Sequence, residues 1–229
     1  MNNMNKLPNC VGFIMDGNRR WATNQGLETL YGHQVGLLEK FSEVIRWVND
    51  LNIENAVFYA FSTENWNRKE NEVNYLMDLF RQQLAQMSTK TIEEKIRFRF
   101  IGRTTDFDQD IQDAMRELEE KTSQFTKTTV WVALSYGGRV EIVEAVNKAI
   151  EIGAVVNEES FSNLLWTAGM PDPDIIIRTG GEQRLSNFLP WQTVYSELFF
   201  VPTYWPAFTK EEFTRILSAY AERERRIGK

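Results

Sequence analysis

The sequence predicts an α/β fold: a single domain over residues 1–229, with a central, mostly parallel sheet of about six strands and helices on both faces. Three observations predict it. Short apolar runs rich in β-branched and aromatic residues recur along the chain, stretches with helical spacing separate them, and no linker, internal repeat or low-complexity segment divides the whole. Hydrophobic residues make up 42% of the chain and charged residues 25%, a balance that supports a sizeable core.

The first strand spans 11–15 and runs straight into the carboxylate of Asp16. A helix over 36–51 and a strand over 56–61 follow. The next helix, 73–94, presents Val73, Leu76, Met77, Phe80 and Leu84 at steps of 3, 4, 7 and 11 residues. Such a stripe lines either the core or one wall of an apolar cavity. A strand over 96–101, a helix over 107–123, a strand over 130–135 and a helix over 140–152 continue the alternation. A helix over 161–168 gives way to Pro171-Asp172-Pro173, a stiff turn that feeds a strand over 175–177. The last strand is 198–201. The tail from Tyr220 is charged and reads as a solvated helix end, although Arg223, Arg225 and Arg226 are also able to reach a phosphate.

Composition narrows the function. A formal net charge of -6 argues against wholesale coating of nucleic acid, so any phosphate site is a local cluster of arginines. The single cysteine, Cys10, excludes an internal disulfide and a multi-cysteine zinc site, and fits a reducing cytosol. The single histidine, His33, excludes two-histidine metal motifs. Metal ligands are then carboxylates and other oxygen groups, which favours Mg²⁺. The polar stretch 1–8 lacks the apolar core of a signal peptide, and no run approaches the roughly 20 apolar residues of a membrane span. A soluble, cytoplasmic protein is expected, with peripheral membrane contact only if its ligand is a long greasy chain.

Four strand ends carry chemistry. After the first strand come Asp16-Gly17-Asn18-Arg19-Arg20-Trp21: a carboxylate that can hold a metal ion or a proton, a glycine that lets a ligand near the backbone, and forked donors suited to phosphate oxygens. Acid beside base at the carboxyl end of a parallel strand suggests a metal-assisted diphosphate site, the alternative being a surface turn with solvated charges. After the second strand, Ser62-Thr63-Glu64-Asn65-Trp66-Asn67-Arg68 can position a reacting group and a proton acceptor. The same run also reads as a helix start, in which neither Ser62 with Asn65 nor Thr63 with Trp66 makes a capping box. Arg178-Thr179-Gly180-Gly181-Glu182-Gln183-Arg184-Leu185-Ser186-Asn187-Phe188 offers two arginines around a Gly-Gly turn with a serine behind, an anion cradle without the spacing of a Walker loop. Glu197, in apolar surroundings, is either a helix-end charge or a partly buried metal ligand.

The order of these blocks resembles the signature of the cis-prenyltransferase (isoprenyl transferase) family from about Val11 to Gly228. It takes in Asp16 to Trp21, Gly32-His33 with Gly36, Ser62 to Arg68, Tyr136-Gly137-Gly138-Arg139, Arg178 to Phe188, Trp191 to Glu197, Trp205-Pro206 and Arg223-Glu224-Arg225-Arg226. The resemblance implies an α/β homodimer that condenses an allylic diphosphate with isopentenyl diphosphate, using Mg²⁺, to form a cis double bond and release diphosphate. Asp16 resembles the carboxylate that holds Mg²⁺ on the allylic diphosphate, with Gly17, Asn18, Arg20 and His33 around that group and Trp21 beside it. Asn65 matches the residue proposed to take the proton. Ser62, Thr63, Glu64, Trp66 and Arg68 fall in a segment that closes over the substrates. Arg178, Arg184 and Ser186 match the isopentenyl diphosphate cradle, and Glu197 a second metal-linked carboxylate. The chemistry asks for an otherwise apolar, dry pocket, for which Phe13, Phe58, Phe61, Phe98, Phe100 and Trp131 are candidate walls, ordinary core being the favoured reading of most of them.

Two positions depart from the family pattern. Arg19 stands where the motif has a second glycine, and Thr29 where an arginine usually binds phosphate. Either Arg19 replaces the lost guanidinium, or the altered clamp redirects the chemistry toward branched, lavandulyl-type coupling of two dimethylallyl diphosphates. Loss or repurposing of activity is the third alternative, although Asp16, Asn65, Arg178, Arg184, Ser186 and Glu197 are all retained. Leu37 and Leu38, bulky on a helix face often lined by small residues, and Trp131 are candidates to shorten the product.

Overall fold

The computed structural model describes residues 7–223; residues 1–6 and 224–229, including Arg225 and Arg226 of the tail, lie outside the described residues. In chain order the elements are β1 (Cys10–Ile14), α1 (Asn18–Asn24), α2 (Tyr31–Gln34), a π-helical turn (Val35–Lys40), α3 (Phe41–Asp50) and β2 (Asn55–Tyr59). A 3₁₀ turn (Thr63–Asn67), α4 (Glu70–Glu94), β3 (Ile96–Ile101), α5 (Gln109–Thr122), β4 (Thr128–Ala133) and α6 (Gly138–Glu151) follow. The chain closes with α7 (Glu158–Ser162), β5 (Ile175–Arg178), β6 (Glu197–Phe200) and α8 (Lys210–Glu222).

The six strands form one sheet in the order β3-β4-β2-β1-β5-β6, every pair parallel. From β1 the chain moves outward to β2, then later crosses back to β5 on the other side of β1. That reversal opens a crevice beyond the carboxyl ends of β1, β2 and β5, where ligands of open parallel sheets bind. Ile14 pairs with both Tyr59 and Arg178, so Asp16, the segment after β2 and the last residue of β5 arrive at the same edge.

Side chains alternate between the two faces. Phe13, Phe58, Phe98, Val130 and Ile177 turn to the layer of α3, α4, α5 and α8, where they pack with Phe41, Leu79, Ile111 and Phe213 in one extensive core. Val57, Trp131 and Ile176 turn to the other face, covered by Tyr136, Phe188 and Leu189, while α6 and α7 build a smaller cluster of Ala145, Phe161 and Leu165. Of the two readings of the aromatic residues, core or cavity wall, the packing takes the core. Phe13, Phe58, Phe61 and Phe98 are buried core, Phe100 packs against that core, and Trp131 lies on the opposite face with its indole N–H donating to Asn55 Oδ1 at 3.2 Å. The crevice lies past the strand ends, out of their reach.

Two helical expectations also change. The region 161–168 is not a continuous helix: α7 ends at Ser162 and the following residues make tight turns, with Leu165 N–H donating to the Ser162 carbonyl. Thr167 N–H instead donates to Glu141 Oε1 at 3.0 Å, so a buried carboxylate takes the donor that a helix would use. Helix α1 forms directly after Gly17, where no helix is expected from the sequence, whereas α8 supplies the helix whose end was expected in the charged tail.

Candidate active site

The site is assembled around an ion pair between the ends of β1 and β5. Arg178 is only 4% exposed; its Nη2 donates to Asp16 Oδ2 at 2.9 Å, and its Nη1 donates to Ser186 Oγ at 2.7 Å and to the Arg184 carbonyl at 2.5 Å. Asp16 Oδ1 accepts from Gly17 N–H at 2.6 Å and from Arg20 Nη2 at 3.2 Å. Burial pushes the Asp16 carboxyl up, but the Arg178 hydrogen bond and charge, the Arg20 charge and the Gly17 N–H outweigh it. The group is held below the usual aspartate range, fully ionised at neutral pH. Thr179 fixes the backbone here, its Oγ1 donating to the Asp16 carbonyl at 2.7 Å and accepting from Asp16 N–H at 3.0 Å.

Gly17 turns the chain into α1 with φ +100, a conformation in which a side chain would also strike Tyr204 at 2.6 Å. Asn18 then seats its carboxamide against the π-helical turn. A Cβ on Gly36 would lie 2.1 Å from Asn18 Oδ1, so the close approach needs a glycine. The Gly36 carbonyl accepts from the Trp205 indole at 2.8 Å, one of the external contacts that accompany local π-helix.

Asp16, Asn18, His33, Ser62, Glu64, Asn65, Arg68, Arg178 and Ser186 line one cavity of about 540 Å³. Its remaining walls include Ile14, Met15, Leu37, Leu76, Phe80 and Trp205, so polar and apolar surfaces face each other across it. Leu37 is a wall, whereas Leu38 packs against the main core. The stripe on α4 does both tasks, since Leu76 and Phe80 are buried core residues that also line the cavity. Asn18 Oδ1, His33 Nε2 and Arg178 Nε are buried atoms of this lining without a hydrogen-bond partner. Unpaired polar atoms on a cavity wall are the usual mark of a site built for a polar ligand.

After β2, the Asn65 carboxamide oxygen accepts from Ser62 N–H at 3.0 Å. This corrects the expectation that Ser62 and Asn65 make no capping box; asparagine reaches back where glutamate or glutamine is usual. Trp66 is turned inward, donating to Ser135 Oγ at 2.9 Å and packing on Phe61 and Phe107, and so anchors the turn instead of lining the cavity. Thr63 Oγ1 donates to Glu64 Oε2 at 3.2 Å. Arg68 donates to Glu72 Oε1 at 2.8 Å, and Glu72, a residue with no motif signal, also sits 3.7 Å from His33 Nε2 and 3.6 Å from Arg19. Burial, then the charges of Arg68 and Arg19, depress the His33 pKa to about 4 against the opposing pull of Glu72, leaving a neutral imidazole at pH 7.

Other predicted groups stand outside the cavity lining. Arg19 is exposed and faces Glu72; Arg20 lies at the rim between Asp16 and Glu182, over the Tyr204 ring; Trp21 is half-buried on α1. The Arg184 guanidinium is exposed and donates to Glu182 Oε2 at 2.5 Å, while its carbonyl serves Arg178. Thr29, the other departure from the pattern, is exposed. Glu197 lies away from this cluster within the chain. It pairs in register with Ile175 at the start of β5, whereas Asp16 follows the far end of β1, about five strand residues or ~16 Å away along the strand direction. Glu197 is ion-paired with Arg223 instead, and within one chain it does not join Asp16. Tyr59 is a lining residue that sequence reasoning missed, and Asn187, part of the polar run after β5 but given no role there, also lines the cavity.

A parallel α/β sheet with a polar and an apolar cavity wall at its switch point suits a ligand with a charged head and a greasy body. Comparison with known proteins makes this reading specific. Residues 14–228 match the family model described as "Putative undecaprenyl diphosphate synthase". An isoprenyl transferase of Thermotoga maritima is 43% identical over 228 residues, covering 97% of each chain. The ditrans,polycis-undecaprenyl-diphosphate synthase of Micrococcus luteus, named as farnesyl-diphosphate specific, is 41% identical over 99% of this chain and 94% of its own. Among solved structures, lavandulyl diphosphate synthase from Lavandula x intermedia, in complex with dimethylallyl diphosphate, superposes with a TM-score of 0.90 at 32% identity, covering 97% of this chain and 99% of that one. The chain belongs to the undecaprenyl diphosphate synthase family and is a prenyltransferase of the cis type.

Proposed function

We propose that the protein condenses an allylic diphosphate with isopentenyl diphosphate, with Mg²⁺ bound, to give a cis-prenyl diphosphate and free diphosphate. The observation that carries this reading is the convergence of Asp16, Asn18, His33, Arg68, Arg178 and Ser186 on one cavity whose other walls are aliphatic and aromatic. The donor set suits Mg²⁺: an ionised, partly exposed Asp16 carboxylate and the unpartnered Asn18 Oδ1 are hard oxygen ligands, and Mg²⁺ binds with few protein ligands when phosphate oxygens and water supply the rest. Bound there, the metal supplies Lewis-acid stabilisation of charge on the leaving diphosphate.

In this reading Asn18, Arg20 and His33 hold the allylic diphosphate, with Gly17 and Trp21 shaping its approach. Arg178 and Ser186 hold isopentenyl diphosphate, and Arg184 joins them by turning away from Glu182. The allylic carbon–oxygen bond breaks, the terminal alkene carbon of isopentenyl diphosphate donates its π electrons to the allyl cation, and the resulting tertiary cation loses a neighbouring proton beside Asn65 to leave the new double bond. Ser62, Thr63, Glu64 and Arg68 cover the reacting atoms, with Trp66 as the anchor of that cover. The aliphatic walls keep out water that would quench the cation.

Ordinary elongation is favoured over branched coupling by the surroundings of the two departures: Arg19 faces Glu72, Thr29 is exposed, and neither lines the cavity. A homodimer fits the open edge of β6, and a cytoplasmic location fits the buried free thiol of Cys10. No helix among the described residues is long and apolar enough to cross a membrane. Incubation with Mg²⁺, dimethylallyl diphosphate and isopentenyl diphosphate, followed by mass analysis of the dephosphorylated product, tests the reading. A linear chain grown by C5 steps is expected. Consumption of dimethylallyl diphosphate alone, with a branched C10 product, would overturn elongation in favour of irregular coupling.

A further inference from the structure

Two polar segments meet at the cavity mouth, one following β2 and one following β5, and a single side chain ties them together. Asn187 adopts φ +67 directly after Ser186 at φ +50, an uncommon pair of left-handed residues. Its hydrogen-bonding groups are spent on three partners. The backbone carbonyl accepts from Gly138 N–H at 2.8 Å, Oδ1 accepts from Arg139 N–H at 2.9 Å, and Nδ2 donates to Glu64 Oε1 at 3.0 Å. Gly137 leaves the room: a Cβ there would lie 2.6 Å from Thr63 Oγ1 and 2.9 Å from Asn187 Nδ2. Both Asn187 and Glu64 line the cavity.

We infer that Asn187 is a positioning residue for prenyl transfer, a clasp fixed to the start of α6 that grips Glu64 and holds the 63–67 turn, with Asn65, over the cavity. The inference rests on the reading of this cavity as the transfer site. Trp66 anchors the far side of the turn on Ser135 and Thr63 N–H donates to the Tyr136 carbonyl at 3.0 Å, so Asn187 adds the tie at Glu64, the residue beside Asn65. Asparagine is suited to the task because it tolerates left-handed backbone, accepts from Arg139 N–H and still donates to a carboxylate. Burial pushes the Glu64 carboxyl up, while its own N–H and the Asn187, Ser62 and Thr63 side chains more than offset that, so the clasp grips an ionised acceptor.

The test is a double-mutant cycle. N187D keeps the acceptor for Arg139 but turns a second carboxylate toward Glu64. It is expected to lower kcat/KM about tenfold to hundredfold, the range for losing a hydrogen bond to a charged group, with little change in Tm. Adding E64Q supplies an amide that donates in the reverse direction, and the double variant recovers at least about tenfold over N187D. N187G keeps the left-handed backbone but has no group to pair with, so E64Q does not rescue it. Trypsin cleavage after Arg68 or Lys69, read by mass spectrometry, is faster in N187D and returns toward the wild-type rate in the double variant. Wild-type turnover in N187D, or a double variant no better than N187D, overturns the clasp. If the wild-type protein itself transfers no prenyl group, the site reading has failed, and the trypsin arm still decides the clasp.

Discussion

At the scale of single residues, the arrangement turns on a buried cation and a half-buried anion that need one another. Arg178 has almost no access to water, and Asp16 is its carboxylate partner among the described contacts. Asp16→Ala should lower kcat by roughly three orders of magnitude through loss of the metal anchor, and should destabilise the fold by about 1–3 kcal/mol because a buried guanidinium loses its partner. Steady-state kinetics and urea titration measure the two effects separately, and near-normal turnover would refute the assignment. His33 gives a pH signature. Its folded pKa of about 4 lies below the ordinary 6.5, so between those values the unfolded chain binds a proton that the native chain does not. The stability tied to this group is complete above pH 6.5 and drains away as pH falls toward 4, by up to about 3 kcal/mol. Wild-type Tm should drop more steeply than that of His33→Gln over this window; parallel curves would contradict the burial of a neutral imidazole.

At the scale of elements, Glu72 at the start of α4 gathers Arg68 from the segment before it, His33 from α2 and Arg19 from α1. Arg19 is thereby drawn to a protein carboxylate and away from the cavity lining, which argues for relocation of charge over new chemistry. Arg19→Gly combined with Thr29→Arg should leave the carbon skeleton of the product unchanged and alter rates by less than about tenfold, the size of a screened surface charge effect. A switch between linear and branched product in that variant would restore the sharper reading. The same elements mark what the sequence disclosed. Strand ends are legible because an apolar run stopping at Asp16 or Arg178 marks both the strand and its functional terminus. Glu72, Tyr59 and the role of Asn187 were not legible, since each owes its place to partners 39 or more residues away or to a left-handed turn that no local pattern announces. The choice between core and cavity wall for the aromatic residues stayed open for a related reason. Composition picks out Phe13 and Phe58, but the face a strand residue turns to is fixed by sheet register, and these rings stack at 4.7 Å inside the helix layer.

At the scale of the whole molecule, the sheet has two edges treated differently. The β3 edge carries Arg97 and Arg99, the latter near Glu119 and over the Trp131 ring, and charged side chains of this kind discourage strand addition. At the β6 edge, Val194 and Tyr195 are 70% and 68% exposed and lie just ahead of the strand, with Leu198 part-exposed within it. Leaving these groups in water forfeits the burial energy that makes apolar surface associate, so this edge is where a second copy would dock. Val194→Asp with Tyr195→Asp should convert a wild-type species of twice 26.8 kDa into a monomer by light scattering, with the circular dichroism of the fold retained. Glu197 and Arg223 share this edge, far from their own Asp16, so the variant should also show whether turnover depends on association. A wild-type monomer, or a variant that remains dimeric, would move the interface elsewhere and leave the exposed β6 edge without that role.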